Sequence, residues 1–493
     1  MRTNPHILEI NTYSWLKNLS KKLEKECTLL DVPDEKWEKI KYLGFDAVWL
    51  MGVWKKSAKS KQIAQEDKQI NDAIKEVYPE YTKEDISASP YSVYDYQVGS
   101  CFGGDEAMRE LRKKLNNMGL KLILDFVGNH MAVDSIQVKE NPDYFVNLKH
   151  PPKNWQKKLF FKTENDTYIA HGKDPHFEPW TDTAQLNYFN PDTRKFMQNT
   201  LLKIASMCDG VRCDMVMLNF NDIHQKTWGD VIAEGGYKKP ETEFWQEAIK
   251  IVKEQYPTFT FIAEVYWNLE WQAQKLGFDY TYDKILYDRL LKSTAQDIKG
   301  HLNAEDLYQQ RSIRFIENHD EEAALTAFGR EKSLAAALII SSLRGARLYH
   351  ILQIYGRQKR VPIQYTGDKG KKDLPILRKY EKILQITNHP AFHGGQWFIM
   401  DTFPVQEGDE KHKNFLAWSW VQQNTSKMVV INYSSQKAEC VLQCKKCPDE
   451  QDGMYVLYEE ISGKDVHIPA ASMDKGLKLS FEPYQMYILN YNF

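Results

Sequence analysis

Four segments of the sequence end an apolar run with groups that can do acid–base chemistry. "DFVGNH" carries Asp125, Asn129 and His130. "GVRCDM" carries Arg212 and Asp214, "FIAEVYW" carries Glu264, Tyr266 and Trp267, and "FIENHD" carries Glu317, Asn318, His319 and Asp320. Arg212 and Asp214 stand two apart, so on a strand they share one face while Val211, Cys213 and Met215 share the other. Charge on an apolar strand is costly unless it is paired and hydrogen-bonded. One carboxylate at a strand end is more often a helix cap or a salt-bridge partner, and one histidine is more often structural. Convergence changes the reading. Three apolar strands deliver Asp214, Glu264 and Asp320 to one rim, with an arginine and two histidines beside them. Carboxylates so clustered raise one another's pKa, which makes one of them usable as an acid near neutral pH.

These residues need a scaffold that brings strand ends together. Eight strand-like runs occur in order: "ILEINTY", "DAVWLMG", "KLILDFVGNH", "DGVRCDM", "FTFIAEVYW", "FDYTYDK", "RSIRFIENHD" and "ARLYHI". Several are continuously apolar, as parallel strands covered on both faces are. Helical patterns lie between most of them, including "DEAMRELRKKLNNMG", "PDTRKFMQNTLLKIASM", "TEFWQEAIKIVKEQ" and "EKSLAAALIISSL". This alternation predicts an α/β chain folded as a (β/α)8 barrel, whose functional groups sit at the C-terminal ends of its strands. Two connections are too long for a plain loop, Val53 to Ser100 and Met131 to Asn190, and such insertions are usually lids or small subdomains. From about Ala391 short alternating runs separated by turn residues predict an antiparallel β domain. The expected division is a catalytic barrel over 1–390, containing an inserted subdomain at 131–190 after the third strand, and a C-terminal β-sandwich over 391–493.

The segments resemble the ordered motifs of the α-amylase family, glycoside hydrolase family 13. "DFVGNH", "GVRCDMVML", "FIAEVYW" and "FIENHD" are similar to its motifs at the third, fourth, fifth and seventh strands. "SPYSVYDY" and "TAQLN" are similar to two further segments, the second near the end of the insertion. The resemblance implies a retaining glycoside hydrolase acting on α-glucans or maltooligosaccharides by double displacement. Asp214 would be the nucleophile, kept ionised and aimed by Arg212, and Glu264 the acid and then the base. Asp320 would bind sugar hydroxyls, His130 and His319 would hydrogen-bond the sugar at the cleaved position, and Tyr91 would stack under it. Trp267 would line the leaving sugar's site or pack in the core. Transfer of the glycosyl group to another sugar is the alternative with the same machinery, and a non-catalytic sugar-binding protein on this scaffold is the reading of another class. Many family members also bind calcium between barrel and insertion. Here Gln185 replaces an aspartate of that set and no histidine ends the fourth-strand motif, so no metal or other cofactor is assigned. Near the eighth strand, Ile351 and Leu352 are apolar where the resemblance leads one to expect a polar, acidic segment.

Composition closes off other classes. Lys+Arg 65 against Asp+Glu 67 gives a net charge of −2, which offers no footprint for nucleic acid or an anionic membrane. No stretch approaches the ~18 apolar residues of a membrane span. Aromatics reach 13% of the chain, and large cores explain that excess more readily than sugar platforms do. The seven cysteines are scattered, and Cys440, Cys444 and Cys447 have no fourth ligand at zinc-finger spacing, so they read as structural thiols. Scattered thiols and a start without a signal-like apolar run lead to a cytoplasmic expectation.

Overall fold

The computed structural model describes residues 1–367, 370–443, 450–451, 453–469 and 476–492. Eight strands form a closed barrel: β1 (His6–Asn11), β2 (Ala47–Met51), β3 (Lys121–Val127), β4 (Gly210–Asp214), β5 (Thr260–Ala263), β6 (Tyr280–Tyr282), β7 (Ser312–Arg314) and β8 (Ala346–His350). Each pairs in parallel with the next, and β1 pairs with β8. All eight runs named in the sequence are these strands. The helices come where the patterns place them, at Gly104–Asn117, Pro191–Ala205, Phe244–Gln255 and Arg330–Ser342. Pro191 opens its helix in the first turn, where a missing N–H costs nothing. The register sets Arg212 opposite Asp125 on β3, so two charged side chains from adjacent strands enter the barrel at one level. Val211 and Cys213 are fully buried on the other face. Met215 departs from the expected alternation. The strand ends at Asp214, and Met215 turns into the left-handed region at φ 43.

Both long connections are folded. Between β2 and β3, Trp54–Lys56 pairs antiparallel with Val93–Val98, and the helices Ala58–Glu66 and Lys68–Val77 lie between them. Gly52 starts this excursion at φ 77, a conformation that a glycine adopts without strain. Its N–H donates to Asp125 Oδ2 at 2.7 Å. After β3, His130–Ala132 pairs antiparallel with Thr183–Gln185, and the residues between include a three-stranded sheet. Gln185 fastens this excursion to the barrel. Its Nε2 donates to Asn129 O at 2.9 Å, Asn129 Oδ1 at 2.9 Å and Leu186 O at 3.2 Å.

Beyond residue 390 the described strands are antiparallel and form two sheets, a larger one and a three-stranded one made of Thr402–Phe403, Ala438–Leu442 and Leu477–Phe481. Side chains of both sheets, among them Met428, Val430, Leu442 and Leu479, enclose one core between them. The larger sheet turns its other face to the barrel. Trp418, Trp420 and Val429 join the barrel core, and Trp420 Nε1 donates to Ser342 O at 2.7 Å. Aromatic side chains largely fill cores, as expected: Trp37, Trp49, Trp54, Trp245, Trp418 and Trp420 are all buried. Cys440 is buried in a strand of the three-stranded sheet, while Cys444 and Cys447 lie outside the described residues. Among the described residues no helix is long and apolar enough to cross a membrane.

The Gln185 fastening predicts a stability effect. Gln185→Leu strands buried acceptors and is expected to cost about 1–3 kcal/mol in urea-induced unfolding. A cost below roughly 0.5 kcal/mol, the level of an ordinary surface substitution, contradicts the structural role assigned to this amide.

Candidate active site

The barrel delivers its charged residues to one cleft. Asp214 ends β4, Glu264 follows β5, Asp320 follows β7 and His130 follows β3. Tyr91 arrives from the first excursion, and Trp180 and Asp182 from the second. Together with Met215 and Tyr266 they line a cleft of about 430 Å³.

Beneath the cleft lies Arg212, buried among rings. Its guanidinium sits 5.3 Å from the ring centres of Trp49 and Tyr91 and 5.6 Å from that of Tyr282. One guanidinium serves two carboxylates: Nη1 donates to Asp214 Oδ1 at 2.6 Å, and Nη2 lies 2.7 Å from Glu264 Oε2. Asp214 Oδ2 has no hydrogen-bond partner among the described residues. Glu264 is held from three sides, because Met215 N donates to Oε2 at 2.9 Å and Tyr266 OH to Oε1 at 2.8 Å. The left-handed turn at Met215, unfavourable for a side chain with a Cβ, points that backbone N–H at the carboxylate.

Electrostatics separate the carboxylates. Burial raises the pKa of Glu264 to about 7; Asp214 and Asp320 add to the rise and Arg212 opposes it. Asp214 is also raised by burial, with Arg212 pulling the other way. Asp320 goes down. Burial would raise it, but the neighbouring His319, with Arg212 and Arg360, holds it well below the ordinary carboxylate range. His319 is the counterpart. Burial disfavours its charge, yet Asp320 and Glu9 outweigh this and raise it to about 10. Its Nδ1 is 2.6 Å from Glu9 Oε1, and its Nε2 is 3.0 Å from Asp320 Oδ2 and 2.8 Å from Tyr91 OH. Tyr91 stacks against the same imidazole at 5.2 Å. His130 differs: burial lowers it to about 4, leaving a neutral ring in the cleft wall.

Seven of the eight residues singled out in the sequence therefore form one connected cluster, with Tyr91, His130, Asp214, Glu264 and Asp320 on the cleft surface and Arg212 and His319 just behind it. Trp267 is outside it. The chain turns at Trp267, φ 65, leaving that ring 37% exposed and edge-on to His176, so Tyr266 takes the place in the cleft. Glu9 was not foreseen. Its signal was present, a carboxylate inside the apolar run "ILEINTY", the same oddity that marks Asp214. Trp180 and Asp182 had no such signal, because only the fold of the excursion brings them to the barrel. The calcium set of the resembled family does not fit here. Two backbone carbonyls meet Gln185 Nε2, which must be the NH2 end of the amide, so a donor stands where acceptor oxygens would be required. Among the described residues no group of three or more His, Cys, Asp or Glu is arranged to hold a metal ion.

Comparison with known proteins agrees with this architecture. Residues 34–373 match the family model described as alpha amylase, catalytic domain, and the chain belongs to that family. It is 21% identical over 425 residues to the alpha-amylase MalA of Haloarcula japonica, covering 84% of this chain and 54% of that protein. It is 26% identical over 397 residues to an alpha-glucosidase of Candida albicans, covering 66% of this chain and 68% of that one. The chain spans little more than half the length of the first curated relatives it matches. Among solved structures, the noncanonic maltogenic alpha-amylase AmyB of Thermotoga neapolitana superposes with a TM-score of 0.68 at 19% identity, covering 99% of both chains.

The paired hold on His319 has a measurable consequence. In Glu9→Gln one of the two carboxylates that raise the imidazole is neutral, so His319 is expected to titrate at lower pH than about 10. Histidine-selective carbon-13 NMR reads this directly, and an unchanged titration would falsify the assigned contact.

Proposed function

We propose that this protein is a retaining glycoside hydrolase cleaving α-glucosidic bonds of α-glucans or maltooligosaccharides. The observation that carries the reading is the single guanidinium shared by Asp214 and Glu264, with Glu264 pushed to about 7. Two carboxyls held as neighbours suit double displacement. Asp214 Oδ2 attacks the anomeric carbon as Glu264 gives its proton to the departing oxygen. The glycosyl-aspartate ester that results is opened by water, whose proton returns to Glu264, and the anomeric configuration is retained. Asp320, kept anionic by His319, accepts hydrogen bonds from sugar hydroxyls and offsets positive charge at the oxocarbenium-like transition state. Neutral His130 hydrogen-bonds the sugar, and the Tyr91 ring, backed by His319, supports its apolar face. His319 acts through Tyr91 and Asp320, since both its nitrogens are engaged. Family membership and the names of the relatives support α-glucosidic linkages as the substrate class.

The reading includes a division of labour along the chain: a barrel over 1–390 that does the chemistry, the 131–190 excursion that walls the cleft, and the 391–493 sheets that brace the barrel. It also includes a cytoplasmic location, supported by free thiols at Cys27, Cys101, Cys208, Cys213 and Cys440.

Asp214→Ala is expected to abolish turnover of maltooligosaccharides while the protein stays folded by circular dichroism. Glu264→Gln is expected to lower kcat by about 10²–10⁴-fold. An unchanged rate in Asp214→Ala sinks the assignment. Proton NMR of the first product should show the α-anomer, and products longer than the substrate would assign the enzyme to transfer instead of hydrolysis. The pH profile follows from Glu264. The acid must be protonated, so kcat/KM is expected to fall as pH rises through about 7. A profile flat between pH 6 and 9 contradicts Glu264 as the acid.

A further inference from the structure

The segment after β8 departs from its expected polar, acidic character, and the structure shows what it builds. A short helix, Ile351–Ile354, is followed by the basic run "GRQKR" at 356–360, and the chain returns through Lys371 and Lys372 to the helix Leu374–Thr387. With Arg330 these residues enclose a cleft of about 720 Å³, within the usual range for small-molecule sites. Among the described residues its wall carries five cations, Arg330, Arg357, Lys359, Lys371 and Lys372, and one carboxylate, Asp373. That carboxylate is already engaged. It takes two bonds from Arg330, at 2.9 and 3.2 Å, and caps the Leu374–Thr387 helix through Ile376 N at 3.0 Å.

The three lysines form no ion pair among the described residues. Lys359 Nζ donates to the Glu76 carbonyl at 3.3 Å, and Lys372 Nζ lies 3.5 Å from the centre of the Tyr355 ring. Dipoles and ring quadrupoles thus hold these ammonium groups. Partial burial, then the neighbouring cations Lys22, Lys36, Lys39 and Arg357, lowers Lys372 to about 8. A chain of net charge −2 has carboxylates to spare, so this concentration of one sign is local. The basic run also reaches the catalytic cleft. Lys359 stands with Arg360 and His319 around a narrow pocket whose wall includes Ile363, and Ile363 lines the catalytic cleft as well.

We propose that the cleft between Arg330, the 356–360 run and Lys371–Lys372 is a phosphate site, holding a phosphoryl group carried on an α-glucan substrate or on a free phosphate compound. A dianion with three acceptor oxygens is the chemistry that several convergent ammonium and guanidinium donors recognise. A neutral glucan gives such a cluster nothing to offset its self-repulsion. The substrate-borne form rests on the glycosidase reading; the binding itself does not.

Isothermal titration of the full chain at low salt tests the site, with pyrophosphate and glucose 6-phosphate as probes and glucose as the control. Saturable binding of the phosphates but not of glucose is expected, weakening with added salt. The variant Lys359→Gln/Lys371→Gln/Lys372→Gln should bind at least about tenfold more weakly. Should that variant unfold, Lys371→Gln alone, an exposed position, should still weaken binding about threefold. Absence of saturable binding, or equal affinity in a folded variant, overturns the proposal. Competing phosphorylated and neutral dextrins of one length identifies the source. A kcat/KM preference for the phosphorylated dextrin that the variant loses assigns the phosphate to substrate, and equal kcat/KM values alongside retained binding assign it to a free compound. Failure to turn over either dextrin refutes the glycosidase reading and leaves the titration result standing.

Discussion

One buried guanidinium organises the interior of this barrel. Arg212 sits where no water can solvate it, and the cost of placing it there is offset only while Asp214 and Glu264 remain against it. The dependence runs both ways. Two carboxylates at this spacing and depth would each favour the neutral form, and the shared cation limits how far either rises. The rings of Trp49, Tyr91 and Tyr282 add a polarisable lining without adding charge. The strand register, the left-handed turn at Met215 and the donated phenol of Tyr266 all maintain this three-body contact.

A second charged unit, Glu9–His319–Asp320, stands beside the first and has the opposite character. There a cation lies between two anions and stays charged across the ordinary pH range, so Asp320 keeps its negative charge where Glu264 can lose it. The fold produces both behaviours from the same residue type by changing only the neighbours. Tyr91 links the two units, with its ring near Arg212 and its hydroxyl on His319. That Tyr91 comes from an excursion outside the barrel means that the excursion must be seated before the cluster is complete.

The sequence exposed the barrel clearly because parallel buried strands are written as apolar runs, and eight of them recur with helices between. The charged exceptions in those runs marked Arg212, Asp214, Glu264 and Asp320 for the same reason, since a buried charge needs a purpose or a partner. Glu9 carried this signal too, but its partner His319 lies 310 residues away in sequence, and only the closure of the barrel brings the two together. Trp267 stands apart from the cluster because the chain turns there through two consecutive left-handed residues, Trp267 and Asn268, a conformation that residue type does not encode. Trp180 and Asp182 sit in an excursion whose path is set by long-range pairing of His130–Ala132 with Thr183–Gln185. The short strand Lys464–Pro469 at the C-terminal end was unreadable, being largely exposed and without alternation strong enough to separate it from a loop.

The Gln185 amide bears on how the protein responds to its surroundings. It is neutral at every pH and covalently part of the chain, so the joint it makes neither titrates nor exchanges with solutes. This anchor of the wall that carries Trp180 and Asp182 therefore does not depend on pH. What acidity changes in the cleft is the protonation of Glu264, which lies close to its midpoint near neutral pH, while this amide joint stays as it is.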